Sequence, residues 1–239
     1  MRRLSTFPVT FLLVIAVSAL SSVSLFSEAA RTTFDDPAAR PWAALLLTYT
    51  LMSAIGSPLL VAVLASRQTD IEHSGRGWIL AATAGYLPGM VCRAKLMVLG
   101  LVIAPAVVAQ SALVLALGHL AGIRVPLDVG PWIGYTLLLV LVDIALCALH
   151  IWLATIVENQ LISVGVGMLG AFLAVFMLFL PPVVAKFVPW GYYAVISFAT
   201  QSQEQVAYTQ PPFLSVAGFL VLTGAVFAVV TRRLDRLEG

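Results

Sequence analysis

Asp143 is the one acidic residue well inside a long apolar stretch of this chain. It lies eleven residues after Trp132, which places it near the middle of a bilayer if the stretch is helical. A charged side chain at that depth costs about 3 kcal/mol on insertion scales, so Asp143 is a candidate to bind a proton or a cation. Because no second charge lies deep in an apolar stretch, we favour the alternative of a protonated Asp143 hydrogen-bonded to a neighbouring helix.

His150 follows Asp143 by seven residues, on nearly the same helix face but about 10 Å further along the axis. We therefore predict two intramembrane polar candidates that do not touch each other. The sequence contains no phosphate-binding loop, zinc-binding helix or nucleophile elbow. Cys92 and Cys147 lie in separate apolar stretches, so we predict structural roles for both. The protein is expected not to be an enzyme and to hold no metal or cofactor of its own.

The composition indicates the environment in which these residues act. Hydrophobic residues make up 61% of the 239 positions and charged residues 10%, and the mean hydropathy is +1.01. So little charge excludes a soluble domain, whose surface it could not cover, and gives no basis for binding nucleic acid. We predict an all-α, polytopic membrane protein with one domain over residues 1–239, and the lipid bilayer as its surroundings.

Six apolar runs are long enough to cross a membrane as helices. They are residues 7–26, 43–65, 96–120, 132–157, 161–185 and 211–231. The small residues Ser27 and Ala29 after the first run also fit a signal-peptidase site, so that run is either a cleaved leader or a first helix. We take it as the first helix.

Residues 187–200 are apolar and aromatic but too short to span the membrane. We predict a re-entrant or interfacial helix outside the cell, with Trp190, Tyr192 and Tyr193 as candidates for an external gate. On the fifth run, small residues recur at every fourth position and predict a helix-packing face that is a candidate subunit contact. They are Ser163, Gly167 and Ala171.

Residues 66–95 form a charged stretch between the second and third runs. Four basic residues lie there, together with Asp70, Glu72 and His73. Read as a helix, Glu72 and Arg76 make an i,i+4 pair on one face, while Ile71 and Trp78 lie on the apolar face. This pattern is typical of an amphipathic element along a membrane, and a solvated loop is the alternative.

The basic residues are unevenly distributed between the two sides of the six-helix arrangement. Nine lie on the side of both termini and of residues 66–95. Four lie on the other side, namely Arg31, Arg40, Arg124 and Lys186, the last just after the fifth run. The positive-inside rule therefore predicts an inner (plasma) membrane protein with both termini in the cytoplasm.

With this topology, the chain resembles the permease subunits of ABC-2 type exporters, and more narrowly those of the lantibiotic-immunity and bacitracin-resistance group. The resemblance depends on Asp70, Glu72 and His73, then Gly77-Trp78 with Leu80, then Pro88 and Arg93-Ala-Lys95. It implies the transmembrane domain of a type V-like exporter. One departure is that the family often has an amphipathic helix before its first span, whereas only residues 1–8 precede the first run here.

The resemblance implies a coupling helix in residues 66–95 that docks onto a separate ATPase, which binds ATP and magnesium. Its ATPase-coupling residues are Asp70, Ile71, Glu72, His73, Arg76 and Trp78. It also implies a second permease subunit, identical or different, and export of an amphiphilic peptide, antibiotic or lipid. The alternatives are an ion-coupled secondary transporter that uses Asp143 and a membrane scaffold that transports nothing.

Overall fold

The computed structural model describes residues 6–74, 83–157, 159–202 and 205–237, without the side chains of residues 6–7, 70–74, 160, 202 and 237. Helices dominate it. In chain order they are α1 (Thr6–Ser22), α2 (Glu28–Arg31), α3 (Pro41–Ser74), α4 (Pro88–Ala121), α5 (Val129–Ile156), α6 (Gln160–Leu178), α7 (Pro182–Ala185), α8 (Tyr192–Val195) and α9 (Phe213–Leu237). Short 3₁₀ turns cover Val23–Phe26, Pro37–Ala39 and Pro189–Gly191.

Six of these helices are long and apolar enough to cross a membrane, namely α1 with its 3₁₀ extension, α3, α4, α5, α6 and α9. The prediction of a mostly helical, multi-pass membrane protein is therefore confirmed. The structure adds one feature that the all-α prediction missed. Strands β1 (Ala199–Ser202) and β2 (Gln205–Tyr208) form an antiparallel hairpin in which Ala199 pairs with Tyr208.

The largest differences between the helix boundaries and the predicted runs occur at three places. Helix α3 continues through Ser74 and α4 begins at Pro88, so both ends of the predicted coupling stretch belong to long helices. Each of these helices has 34 residues and is about 51 Å long, well beyond the roughly 30 Å of a bilayer core. Helix α6 ends at Leu178, ahead of Pro181 and Pro182, so the fifth span is shorter than predicted.

The bundle has two distinct ends. At the end where α1 begins and α9 finishes, which we call the terminal end, the Lys95 ammonium donates to the Gln68 carbonyl at 2.6 Å. At the opposite end, which we call the loop end, the Trp42 indole donates to the Val125 carbonyl at 2.7 Å. Gly122 allows the turn after α4, since its φ of +105° lies in the left-handed region.

Helix α3 lies at the centre of the bundle and packs against α1, α5 and α6. Near the loop end its Tyr49 stacks on Trp132 of α5, with ring centroids 6.0 Å apart, and both rings are fully buried. The Tyr49 hydroxyl lies 2.9 Å from the Ser111 hydroxyl of α4 and accepts from the Gln110 amide at 3.3 Å. These contacts hold α3, α4 and α5 together near the loop end.

The hairpin packs against α3 at the loop end. Tyr208 on β2 lies near Asp128 and Arg40. Burial, followed by the negative charge of Asp128, raises the pKa of this phenol to about 12, so Tyr208 stays protonated.

Candidate functional site

Between α6 and the hairpin, residues 179–198 fold back into the bundle, and we call them the re-entrant segment. Its side chains meet α5 at successive depths. Phe198 packs against Gly134, Tyr193 meets Asp143, and the Trp190 ring lies 6.3 Å from the His150 ring. Sixteen residues of α5 separate the first and last of these contacts, which corresponds to about 24 Å. The segment therefore enters the bundle and does not merely cover its end.

The segment is not the single helix that the sequence predicted. It consists of α7, the 3₁₀ turn at Pro189–Gly191 and the four-residue α8, and it leads into β1. Gly191 packs directly against the carbonyl of Ala185, where a Cβ atom would overlap. Pro182 begins α7 and Pro189 begins the 3₁₀ turn, and neither can donate the backbone hydrogen bond that one long helix requires.

Asp143 anchors this segment. Its side chain is fully buried, Tyr193 of α8 donates to Oδ1 at 2.7 Å, and Ser57 of α3 donates to Oδ2 at 3.3 Å. One carboxyl group thereby joins α3, α5 and the re-entrant segment. The favoured alternative of an Asp143 hydrogen-bonded to neighbouring elements has the matching geometry, although its protonation stays a prediction.

His150 is also fully buried, and in the part of the chain that the structure describes neither ring nitrogen has a hydrogen-bond partner. Its neighbours are the Trp190 ring and Gly167. Asp143 accepts its hydrogen bonds from Tyr193 and Ser57 and not from His150. The two intramembrane polar candidates are therefore not brought together. Across the described residues, no group of three or more His, Cys, Asp or Glu side chains could hold a metal ion.

The three predicted gate residues contact three different helices. Trp190 lies against Gly170 of α6, where any Cβ atom would collide with the indole. Tyr192 stacks on Phe219 of α9 with ring centroids 3.9 Å apart, and its hydroxyl donates to the Ser215 carbonyl at 3.3 Å. Tyr193 binds Asp143 of α5, as described above. These aromatic side chains thus attach the segment to α5, α6 and α9 together.

The row of small residues on α6 packs within the chain. Ser163 and Ala171 are buried, and Gly167 lies against Ala62 and the Pro58 carbonyl of α3. The row accounts for the close contact between α3 and α6, and it presents no exposed surface to a second subunit. Contact with such a subunit stays a prediction that this row does not support.

Beside the re-entrant segment, a cleft of about 580 Å³ runs between α5 and α9. Its walls are almost entirely apolar. They include Leu146, Leu149 and Trp152 of α5, residues from Ser215 to Val230 of α9, and Lys186, Phe187, Pro189 and Tyr192 of the segment. Sequence reasoning did not predict this cleft, because tertiary packing shapes a cavity between helices and sequence periodicity does not reveal it.

At the terminal end, the structure describes part of the predicted ATPase-coupling site. The backbone at Asp70, Ile71, Glu72 and His73 continues α3, whereas Arg76 and Trp78 lie outside the described residues. Arg93 of α4 makes an ion pair with Asp235 of α9 at 2.9 Å, and Asp235 also accepts from the Met90 backbone at 3.2 Å. No sequence pattern pointed to Asp235, which lies among the basic residues after the last predicted span.

No protein-family model matches the chain, and no curated protein matches its sequence. Evidence for the function therefore comes from the geometry of the chain and from the resemblance of residues 66–95.

Proposed function

We propose that the chain is the permease subunit of an ATP-driven exporter of the ABC-2 type. In this proposal it moves an amphiphilic substrate, such as an antimicrobial peptide, an antibiotic or a lipid, out of the cell or membrane. A separate ATPase binds ATP and magnesium and docks on residues 66–95. The observation that carries the proposal is the connection of α3, α4 and α9 at the terminal end.

This connection supports a role in receiving force. Helices α3 and α4 are each about 20 Å longer than a bilayer core requires, and residues 66–95 join them. The Lys95 bond to Gln68 ties α4 to α3, and the Arg93 ion pair with Asp235 ties α4 to α9. Force applied to residues 66–95 therefore acts on three spans together.

The same force has a path to the cleft. Helix α3 carries Ser57, which binds Asp143, and Asp143 in turn holds Tyr193 of the re-entrant segment. Four residues of that segment line the cleft between α5 and α9. A shift of α3 relative to α5 changes the two hydrogen bonds of Asp143 and thus the position of the cleft wall.

The orientation follows from the positive-inside rule. It places the terminal end and both termini in the cytoplasm, in a plasma (inner) membrane, and the hairpin outside. The resemblance adds a second permease subunit, identical or different, to the assembly.

The test is co-purification of the ATPase in mild detergent from native cells. Reversing the charges by Asp70→Lys with Glu72→Lys is expected to release the ATPase while the melting temperature of the permease stays unchanged. The matched control is Glu28→Lys with Asp35→Lys, two reversals on exposed residues of the loop end. Retention of the ATPase by the first variant would overturn the docking assignment.

A second candidate is an ion-coupled secondary transporter, favoured by the full burial of the Asp143 carboxyl in mid-span. It requires that Asp143→Asn abolish transport and that no ATPase be needed. Both oxygens of Asp143 are occupied by hydroxyl donors, and Asp143 does not line the cleft. The geometry therefore fits a permease better than it fits an ion-coupled secondary transporter.

A further inference from the structure

The cleft between α5 and α9 contains one cation in apolar surroundings. Lys186 alone is charged among the described residues that line it. In that part of the chain no carboxylate lies within ion-pair distance of its ammonium group. A half-buried charge beside an apolar cleft is costly unless an anion approaches it, because the surroundings offer little solvation.

Lys186 is half-buried in the part of the re-entrant segment that packs against the spans. It follows Ala185, which packs against Gly191, and Gly191 follows Trp190, whose ring meets His150. His150 is eighteen residues past Trp132, or about 27 Å along α5 from the loop-end interface. A bilayer core is roughly 30 Å thick, so the contact between Trp190 and His150 lies close to the headgroup layer at the terminal end. From this part of the segment a lysine side chain can extend to a lipid phosphate.

The shape of the cleft suits a lipid tail. Its wall on α9 extends from Ser215 to Val230, about 22 Å of helix, which exceeds the roughly 15 Å depth of one leaflet. Gly218 on this wall has no atom within 4 Å of the position of an added Cβ, so the wall is open there. An apolar cleft of 580 Å³ that faces a bilayer would lose dispersion contacts if it were empty.

We propose that this cleft binds an anionic phospholipid of the bilayer, with an acyl chain along α9 and the phosphate on Lys186. The positive charge of Lys186 favours an anionic headgroup, and the apolar walls of the cleft favour an acyl chain. The site requires only that the chain lies in a membrane, so it does not depend on the proposed transport function.

The experiment is lipid binding to the purified, delipidated protein, measured by native mass spectrometry. Phosphatidylglycerol and phosphatidylcholine with identical acyl chains are compared. The wild-type protein is expected to prefer phosphatidylglycerol by about tenfold, because its headgroup has a net negative charge, whereas the choline cation of phosphatidylcholine offsets the charge of the phosphate. Lys186→Gln should remove that preference and Lys186→Arg should keep it. Arg124→Gln is the control for loss of one positive charge, since its side chain is 80% exposed at the loop end.

A second pair of variants tests the acyl-chain site without changing the charge. Gly218→Leu fills the cleft and is expected to reduce binding of both lipids by about tenfold. Gly224→Leu is the matched control, because it lies on α9 away from the cleft and also has open space at its Cβ position. The proposal is overturned if Lys186→Gln keeps the full preference, or if the two leucine variants bind lipid alike. The assay contains no ATPase, so it is independent of the docking test.

Discussion

The hydroxyl of Tyr193 lies 2.7 Å from Oδ1 of Asp143, and this hydrogen bond fastens the re-entrant segment to the middle of α5. Ser57 of α3 occupies the other carboxyl oxygen at 3.3 Å. The only acidic side chain deep in the described spans thus serves as a junction between two spans and a segment that does not span. A group at such a junction affects both the stability and the motion of the elements that it joins.

Replacing Asp143 separates its structural role from an ion-binding role. Asp143→Leu leaves the buried hydroxyls of Tyr193 and Ser57 without an acceptor, which we expect to lower the free energy of unfolding by about 2 kcal/mol or more. Asp143→Asn keeps an oxygen for Tyr193 and can donate to Ser57, so it should cost less than about 1 kcal/mol. Melting temperatures in mild detergent measure both effects.

Transport by the Asp143→Asn variant decides between the two candidate functions. For the permease, activity should persist at a level near that of the wild type. Lost transport with an unchanged melting temperature would instead show that the carboxyl binds a proton or an ion. The Tyr193→Phe variant, which removes the same hydrogen bond from the other side, is the control for displacement of the re-entrant segment.

Glycine on α6 gives a second prediction, because the indole of Trp190 occupies the space that a Cβ atom at Gly170 would need. Gly170→Ala should displace Trp190 and cost about 1 to 3 kcal/mol through overpacking. Gly165→Ala, five residues earlier on the same helix, meets no atom within 4 Å and should stabilise the helix by up to about 1 kcal/mol. We expect the two melting temperatures to shift in opposite directions. Equal shifts would contradict the close packing of the Trp190 indole against Gly170.

The six spans could be predicted from the sequence because the bilayer imposes a simple rule of length and hydropathy. Asp143 could be selected for the same reason, since a single carboxylate in a long apolar run is conspicuous. Both inferences use local information only. Trp190, Tyr192 and Tyr193 could be grouped as one aromatic element, but not assigned to three different helices.

The rest depends on tertiary contacts that sequence periodicity does not encode. Lys186 looked like an external loop residue because it follows a predicted span, whereas the early end of α6 lets the chain turn back into the bundle. Asp235 looked like one charge among arginines, although it pairs with a residue 142 positions away. The hairpin was missed because its four-residue strands are too short to show an alternating pattern.

The contact of α4 with α9 at the terminal end is expected to have two separable parts. Arg93→Met removes only a partly exposed ion pair and should cost less than about 1 kcal/mol. Asp235→Ala also removes the acceptor for the Met90 backbone at the start of α4, so it should cost about 1 kcal/mol more. Asp235→Asn keeps an oxygen there and should match Arg93→Met. If all three variants melt alike, Asp235 does not cap α4.

In an assembled transporter, the same variants report on transmission of force. Weakening the contact between α4 and α9 should lower substrate export per ATP hydrolysed, while the ATPase still co-purifies. The measurement is export and ATP hydrolysis in the same vesicles, with Arg124→Gln as the control. An unchanged ratio for Arg93→Met would exclude a role of this ion pair in coupling.

His150 provides the last prediction, since both of its ring nitrogens are buried and have no partner among the described residues. Two unsatisfied polar atoms are unfavourable, and a leucine of similar size would remove them. His150→Leu is therefore expected to leave the melting temperature unchanged or to raise it by a few degrees. A decrease equivalent to more than about 1 kcal/mol would show that a water molecule or a bound substrate satisfies the imidazole in the membrane. In that case the region between Trp190 and Gly167 becomes a binding site, and His150 rather than Asp143 is the polar group that acts there.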